Sequence, residues 1–163
     1  MIIGTFVSER LTLGWKRGCG MKLFTIGFAK KNAEKFFGLL LDNKVRKVVD
    51  IRLNNKSQLA GFTKEDDLRF FLKNIGDIGY EHCTALVPTK EIFDGFRDKR
   101  ISWDQFTEEY KKVLQKRNAM ARLDLESLDH ACLLCSEDLP EYCHRRLAAE
   151  EIQKITGCEI IHL

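Results

Sequence analysis

The chain has little of several features that would place it in a special class of protein. It has only two prolines and no low-complexity tract in 163 residues, so long disordered linkers are not expected. Its formal net charge is only +3, which provides no large basic field for binding nucleic acid. No apolar run approaches the length of a membrane span, so no membrane association is expected. The composition, with 44% hydrophobic and 31% charged residues, is that of an ordinary soluble globular protein.

Cysteine is also scarce in comparison with small secreted proteins that depend on disulfide bonds. The chain has six cysteines, and a chain of this length can bury a full core without covalent cross-links. We therefore expect free thiols and a reducing, cytoplasmic setting. Residues 1–20 lack a continuous apolar segment behind a basic end, which is untypical of a secretory signal. We interpret residues 1–20 as an N-terminal extension and residues 21–163 as a single domain.

Strand-like and helix-like segments alternate along the domain. Five β-rich segments are predicted to be strands, at 22–28, 45–52, 79–86, 130–135 and 158–163. Capping residues and helical spacing predict four helices. Their starts are marked by Asn32, by Thr63 with Asp66, by Ser102 with Gln105, and by Pro140 in a first turn. The alternation predicts an α/β fold: a single domain with a mainly parallel five-stranded sheet and helices on both faces.

Polar and reactive side chains follow the predicted strands at the points where the strands end. Ligands of open α/β sheets bind beyond the carboxyl ends of the strands, so we expect these residues to share one edge of the sheet. Side chains alternate along a strand, which puts Asp50 and Arg52 on the same face. The full candidate set is Gly27, Phe28, Asp50, Arg52, Ser57, Cys135, Glu137, Cys143, His144 and Arg145.

The segment from Cys143 to Arg146 places a thiol, an imidazole and two guanidiniums at a predicted helix N-terminus. The unpaired N–H groups of a helix start stabilise anions, and a cysteine beside cations there acquires a lowered pKa. Arg145 would add a bidentate clamp for phosphate or carboxylate. Adjacent helical residues point about 100° apart, so the thiol, the imidazole and Arg145 are not expected to face one ligand. The plainer alternative is a capped helix with solvated basic side chains and a core thiol.

The cysteines near the fourth strand allow a metal site as a minority alternative. Residues three apart in a strand point to opposite faces, so Cys132 is expected to be a buried hydrophobe and not a partner ligand of Cys135. Zinc held by Cys135, Cys143 and His144 alone is the alternative that remains, because three ligands with an open position suit catalysis. Otherwise no cofactor is expected.

The two thiols of the loop after the fourth strand also suggest redox chemistry. Loop closure would give either a nucleophile with a resolving partner or a reversible disulfide between Cys135 and Cys143. The alternative is that one of the thiols is buried and inert. Neither thiol has the Cys-x5-Arg spacing of a phosphate-cradling cysteine phosphatase, and the loop lacks glycines. These absences disfavour phosphatase and rhodanese-type functions.

Several segments, taken in order, resemble a known family. They are FTIGF, VVDIR followed by a loop serine, IGYEH, the helical pattern of Trp103, Phe106 and Tyr110, and LLCSEDLPEYCHR. Together they are similar to the uncharacterised proteins catalogued as domain of unknown function 488, from about Lys22 to Leu163. The chain departs from the family pattern at Phe28, where a polar ring is frequent, and at Leu86-Val87-Pro88, where Leu-Gly-Gly is frequent. The resemblance implies the fold and a shared site, but no established reaction. The implied site residues are Asp50, Arg52, Cys135, Glu137, Cys143, His144 and Arg145.

Three functions are compatible with this set of residues. The favoured hypothesis is an enzyme acting on a small anionic substrate that is nucleotide-like or derived from nucleic acid. Its catalytic candidates are Cys135 or Cys143 as nucleophile or redox centre and Glu137 or His144 for proton transfer. The candidates for substrate or anion binding are Gly27, Phe28, Asp50, Arg52, Ser57 and Arg145. The alternatives are a non-catalytic nucleotide or nucleic-acid binding module, and a sensor based on thiols or a metal.

Overall fold

The computed structural model describes residues 20–56 and 61–163. Ser57 and all but the last residue of the predicted extension therefore lie outside the described residues. The described part contains five strands and five α-helices, joined in places by short 3-10 turns. In chain order these are β1 (Lys22–Gly27), α1 (Ala33–Asp42), β2 (Lys47–Asp50), α2 (Glu65–Gly76), β3 (Gly79–His82), α3 (Lys90–Arg97), α4 (Trp103–Lys116), β4 (Ala131–Cys135), α5 (His144–Thr156) and β5 (Glu159–His162).

All five strands belong to one parallel sheet, with the order β3-β2-β4-β1-β5. The central strand, β4, pairs with β1 so that Cys135 lies opposite Gly27. On its other side β4 pairs with β2, where Leu134 lies opposite Asp50. Because neighbouring strands run in the same direction, the carboxyl ends of β1, β2 and β4 meet at one edge. The predicted α/β fold with a parallel five-stranded sheet is confirmed.

The sheet is covered on both faces, as the apolar character of β4 predicts. Every residue of β4 is buried, which is typical of a central parallel strand. On one face Leu133 packs with apolar residues of α4 and α5. On the other face Cys132 and Leu134 pack with apolar residues of α1 and α2. Cys132 is therefore a core residue, as its position in the strand predicts.

Two of the predicted helix starts are correct. The Asn32 side chain accepts a hydrogen bond from the Lys35 amide at 2.8 Å at the start of α1. Ser102 and Gln105 form a reciprocal capping box at the start of α4, in which each side chain binds the other residue's backbone N–H.

The capping box predicted at Thr63 and Asp66 is wrong. The helix α2 begins at Glu65, and its N-cap, Lys64, makes no side-chain capping bond. Thr63 is buried in a short 3-10 turn, where its carbonyl accepts a hydrogen bond from Arg52 at 2.8 Å. A tertiary contact therefore outweighs the local capping signal at this position.

The last predicted helix start is also wrong, and it affects the site. α5 begins at His144, and Cys143 is its N-cap with extended backbone angles, φ −127° and ψ 136°. The carbonyl of Pro140 accepts a hydrogen bond from the Cys143 amide at 3.2 Å, so Pro140 lies in the loop before the helix. This turn leaves the residues after β4 as a loop over the edge of the sheet.

The region after β3 differs from prediction as well. The third strand ends at His82, four residues before its predicted end, and α3 lies where no helix was predicted. α3 has only eight residues, too few to show a clear helical period of apolar residues. Its cap, Thr89, accepts a hydrogen bond from the Ile92 amide at 3.5 Å.

None of the helices within the described ranges is long and apolar enough to span a bilayer.

Candidate active site at the carboxyl edge of the sheet

Two hydrogen bonds join the ends of three strands into one site. The carbonyl of Ile51, just after β2, lies 2.9 Å from Nε2 of His144 at the start of α5. The carbonyl of Ser136, just after β4, accepts a hydrogen bond from the amide of Ala29, just after β1, at 3.0 Å. Apart from Ser57, the predicted site residues therefore come from segments that meet at one edge.

The Cys135 sulfur lies at the centre of this edge. Only 3% of Cys135 and 2% of Cys143 is exposed. The Cys135 Sγ lies 3.6 Å from Nδ1 of His144 and 3.9 Å from Nε2. Two nearly equal distances place the sulfur beside the imidazole ring and not on the axis of either nitrogen. The contact is thus mainly electrostatic, while Nε2–H donates to the Ile51 carbonyl.

The protonation states of the site differ between its two thiols. Burial raises the pKa of Cys135, but the Cys143 thiol, His144 and the Glu137 amide together outweigh burial and hold that pKa well below its usual range. Burial and the neighbouring Cys135 sulfur raise the pKa of Cys143 well above its usual range. Burial lowers the pKa of His144, but the neighbouring Cys135 charge outweighs it and raises that pKa. The arrangement favours a thiolate at Cys135, a thiol at Cys143 and an imidazolium at His144.

The expectation that Cys143 and His144 point about 100° apart, as adjacent helical residues do, does not hold for this pair. It assumed that Cys143 is helical, whereas its extended conformation turns the thiol towards β4. One ligand atom from each of Cys135, Cys143 and His144 lies within 4.8 Å of the other two. The Arg145 Nη1 lies 3.6 Å from the Cys143 Sγ, so a guanidinium borders the same cluster.

This cluster is also the part of the site that could hold a metal ion, since two thiolates and an imidazole are a ligand set for zinc. The Cys135 sulfur lies beside the imidazole ring, and a metal bound to Nδ1 would have to lie in the plane of that ring. The His144 ring would therefore have to turn before Nδ1 and both sulfurs could coordinate one ion. As it stands, the Cys135 sulfur packs beside the His144 ring, 3.6 Å from Nδ1.

Arg145 is completely buried and holds the loop over the site. Its Nη1 donates to the Glu137 carbonyl, and its Nη2 donates to the Asp138 carbonyl at 2.9 Å. The charge of Arg145 is thus fixed beneath the loop and near the Cys143 sulfur. Its influence on a bound anion would be exerted through its electric field.

Glycine at position 27 is required by the close approach of this loop. A Cβ atom at Gly27 would lie 1.5 Å from the Glu137 carbonyl oxygen, a distance that no side chain tolerates. The next residue, Phe28, is half-buried, and the Arg52 Cζ lies 5.5 Å from the centroid of its ring. Glycine at position 27 therefore allows the loop after β4 to approach the end of β1. Phe28 lies against the guanidinium of Arg52.

Asp50 and Arg52 form a buried ion pair on one side of the site. Asp50 Oδ1 accepts from Arg52 Nε at 2.9 Å, and Oδ2 accepts from Arg52 Nη2 at 2.7 Å. Tyr80 donates its hydroxyl proton to Asp50 Oδ2 at 2.8 Å, and burial together with the Asp50 charge raises the pKa of Tyr80. Ile51 lies between the paired residues, so the pair fixes the carbonyl that orients His144.

Glu137 is the carboxyl group closest in sequence to the thiolate. Glu137 is an exposed residue as a whole, but its carboxyl group is partly buried, and this burial and then the negative charge at Cys135 raise its pKa. A carboxyl group with a raised pKa near a thiolate retains a proton more readily than an ordinary surface glutamate does. Glu137 is therefore suited to donate a proton.

Two tyrosines contribute to the site although the sequence did not mark them as site residues. Tyr80, in β3, completes the Asp50 network, and only its alternation with Glu81 hinted at an inward position. Tyr110 contacts the His144 ring edge-on, with centroids 5.7 Å apart, and donates its hydroxyl proton to the Leu86 carbonyl at 2.6 Å. The helical pattern of Trp103, Phe106 and Tyr110 is typical of a buried helix face, but it does not indicate the contact of Tyr110 with His144.

The family described as Domain of unknown function DUF488 matches the chain over residues 32–152. The chain belongs to this family. The match includes the ion pair of β2, the cysteine loop and most of α5, whereas Gly27 and Phe28 precede it. No curated protein and no solved structure matches the chain. The chemistry of this DUF488 protein therefore has to be inferred from its own residues.

Proposed function

We propose that this protein is an enzyme whose Cys135 thiolate attacks a small anionic substrate at the carboxyl edge of the sheet. The observation that carries the proposal is the position of the Cys135 sulfur, 3.6 Å from a ring nitrogen of His144, with a pKa held well below its usual range. A thiolate is the reactive form of cysteine, and an adjacent imidazolium maintains it near neutral pH.

Each neighbouring group has a role in this reaction. His144, held by the Ile51 carbonyl, keeps its positive charge against the thiolate before the attack. Cys135 then forms a bond to an electrophilic atom of the substrate, and the leaving group departs with a proton from Glu137. Water attacks the covalent intermediate in the second half of the reaction, with the Glu137 carboxylate accepting its proton. This cycle restores the thiolate.

The anionic character of the substrate is supported by the charges that surround the loop. The N-terminus of α5 carries a positive partial charge, and its N-cap makes no side-chain capping bond. The buried Arg145 adds a full charge beneath the loop. A phosphate-bearing small molecule, nucleotide-like or derived from nucleic acid, is the class favoured by this field. The free cysteines of the described residues suit a reducing, cytoplasmic setting.

Substrate turnover with matched cysteine variants tests the proposal. The probes are p-nitrophenyl phosphate, bis(p-nitrophenyl) phosphate, nucleoside mono-, di- and triphosphates, and a single-stranded oligonucleotide. We expect Cys135→Ser to reduce turnover of the accepted probe by at least about 100-fold, and Cys132→Ala, in the same strand, to leave it unchanged. A Cys135→Ser variant as active as the wild type would overturn the proposal. Failure to turn over any of the probes would remove the phosphate-bearing class.

The thiolate can be tested without knowledge of the substrate. We expect iodoacetamide to modify Cys135 at pH 6.5, whereas Cys132, whose pKa burial raises, stays unmodified. Replacing His144 with Gln removes the adjacent positive charge, so we expect the pKa of Cys135 to rise and its alkylation to slow. Once this pKa exceeds the pH of the assay, each further unit lowers the thiolate fraction about tenfold. Peptide mapping by mass spectrometry measures the rate at each cysteine. His162→Gln is the matched control, and equal Cys135 rates in both variants would refute the role of His144.

A second candidate function, a metal-based sensor, is favoured by the three ligand atoms within 4.8 Å of one another. It predicts one zinc-like ion per chain in protein purified without chelators, measured by elemental mass spectrometry. Replacing Cys143 with Ser would then release the metal. Stoichiometric metal in wild type and Cys132→Ala but not in Cys143→Ser would favour the sensor over the enzyme, whereas metal-free wild type would exclude it.

A further inference from the structure

We infer that Cys143 is a resolving thiol, and that Cys135 and Cys143 form a dithiol site oxidised by small hydroperoxides to an intramolecular disulfide. The inference uses the same thiolate as the proposed enzyme, but it requires no organic substrate. It assigns to the second thiol of the loop a chemistry that the proposed enzyme leaves unused.

The positions of the two sulfurs support this role. Both thiols are free, and their ligand atoms lie within 4.8 Å. The extended backbone of Cys143 turns its thiol towards the end of β4, so the group that must attack already lies close to its target. Disulfide exchange and closure require this approach of one sulfur towards the other.

The backbone at Cys143 permits the remaining movement. Cys143 is the N-cap of α5 and not part of the helix, so its side chain can move towards β4 without the loss of a helical turn. Its amide is held by the Pro140 carbonyl at 3.2 Å, within the loop that Arg145 ties down. Cys135 is the last residue of β4, so the closure would join a fixed strand end to a loop.

The oxidation proceeds in two balanced steps. The Cys135 thiolate attacks one oxygen of the hydroperoxide; an S–O bond forms, the O–O bond breaks, and hydroxide or alkoxide leaves. The sulfur is oxidised to sulfenic acid and the peroxide is reduced. The Cys143 sulfur then attacks the Cys135 sulfur; the S–S bond forms, the S–O bond breaks, and the departing hydroxide takes the Cys143 proton to give water. An external dithiol reduces the disulfide and restores both thiols.

The surrounding groups assist the second step and select the oxidant. The Arg145 Nη1, 3.6 Å from the Cys143 sulfur, stabilises the negative charge that develops as this thiol loses its proton. With 3% and 2% of the two cysteines exposed, hydrogen peroxide reaches the sulfurs more readily than a bulky disulfide does. Burial raises the pKa of Cys132, Cys83 and Cys158, which keeps these thiols in their less reactive form.

The test treats the full-length protein with hydrogen peroxide and maps its cysteines by mass spectrometry. Trypsin leaves Cys135 and Cys143 on one peptide, because no lysine or arginine lies between them. Cleavage after Glu137 and Glu141 separates them, so a disulfide appears as two linked peptides. We expect this linkage in wild type and in Cys132→Ala. The mass of the linked peptides should be lower by two hydrogens than the sum of the two free peptides, and dithiothreitol should reverse the linkage fully.

The decisive variant is Cys143→Ser. We expect no linkage in this variant and an accumulation of sulfenic and sulfinic acid at Cys135, because the resolving thiol is missing. Peroxide-treated wild type that shows over-oxidised Cys135 without the linkage would overturn the inference. If Cys135 is alkylated at pH 6.5 but forms no disulfide with Cys143 after peroxide treatment, this inference alone fails. If the disulfide forms but Cys135→Ser keeps its substrate turnover, the proposed enzyme alone fails.

Discussion

At the scale of single residues, two cysteines of the same strand have opposite properties. Burial raises the pKa of Cys132, which packs among apolar side chains. Burial also acts on Cys135, but a thiol, an imidazolium and a backbone amide converge on its sulfur and lower its pKa. Hydrogen bonds and nearby charges favour the ionised form even in a buried position. The chemistry of the site therefore depends on the three groups around Cys135.

Gly27 offers a single-residue test of the loop that supplies one of those groups. In Gly27→Ala the new Cβ would collide with the Glu137 carbonyl oxygen, 1.5 Å away, so the cysteine loop must shift. We expect a loss of about 1–3 kcal/mol in the free energy of unfolding, as for other overpacked sites, and slower alkylation of Cys135. Urea titration and peptide mapping measure the two effects.

The control for this substitution is Gly38→Ala. Gly38 lies in α1, and no atom lies within 4 Å of the position that an added Cβ would take. Alanine should therefore stabilise the protein by roughly 0.5–1 kcal/mol. A Gly27→Ala variant as stable and as reactive as the wild type would contradict the steric argument.

At the scale of elements, the end of β2 supports His144, the histidine of the proposed site. The Asp50–Arg52 pair, Tyr80 from β3 and the carbonyl of Thr63 form one buried network. Ile51 extends between the paired residues, and its carbonyl is the hydrogen-bond partner of His144. The network positions His144 without contacting the thiolate.

Replacing Asp50 with Asn tests this support. The substitution leaves the Arg52 charge buried without its partner, and breaking a buried pair costs about 3–5 kcal/mol. We expect this loss in urea unfolding, together with slower Cys135 alkylation as the Ile51 carbonyl shifts. Glu109→Gln, which removes the exposed pair with Lys112, is the control and should change stability by less than about 1 kcal/mol. A loss in Asp50→Asn no larger than in this control would contradict the role of the network.

At the scale of the whole molecule, the order of the strands brings distant segments together. Ile51 and His144 are separated by 93 positions, yet both flank the end of the central strand. β4 is inserted between β2 and β1, so Cys135 at its end is bordered by the ends of two earlier strands. The position of β4 between two earlier strands therefore brings the residues of the candidate site together.

The thiolate and the imidazolium also make the stability of the whole protein depend on pH. The lowered pKa of Cys135 contributes stability that is lost as the pH falls through its folded-state pKa. The raised pKa of His144 contributes stability that is lost as the pH rises through its folded-state pKa. Between the unfolded values of about 6.5 for histidine and about 8.5 for cysteine, the folded and unfolded pairs bind the same number of protons.

We therefore expect the stability difference between wild type and Cys135→Ser to be flat from about pH 6.5 to about pH 8.5. It should decrease above this range, where the unfolded wild-type pair binds fewer protons than the folded pair does. Urea unfolding of both proteins at each pH measures the difference. A difference that rises steadily with pH through the whole range would show that no such ion pair exists.

Much of the architecture could be predicted from the sequence because it depends on local patterns. The apolar run of β4 and the caps at Asn32 and Ser102 are signals within a few residues of the element they specify. The capping box at Thr63 was wrong, since a tertiary contact with Arg52 determines the backbone there. The helix start at Pro140 was wrong because Pro140 lies in a turn closed by the Cys143 amide. The eight-residue α3 was too short for its pattern to be recognised.

Local patterns in the chain were enough to specify the α/β fold, the parallel sheet and the edge at which Asp50, Arg52 and the two loop cysteines gather. The order of strands along the chain and the alternation of side chains along a strand can both be read over short distances. The folded structure was needed to establish that Cys143 faces Cys135, that Arg145 lies buried beneath the loop and that Tyr80 and Ile51 support the site. The Tyr80 and Ile51 contacts join segments 30 and 93 positions apart, and the Cys143 and Arg145 contacts depend on the path of the loop after β4, which no local pattern specifies. The charges of the site affect one another strongly only where water is excluded.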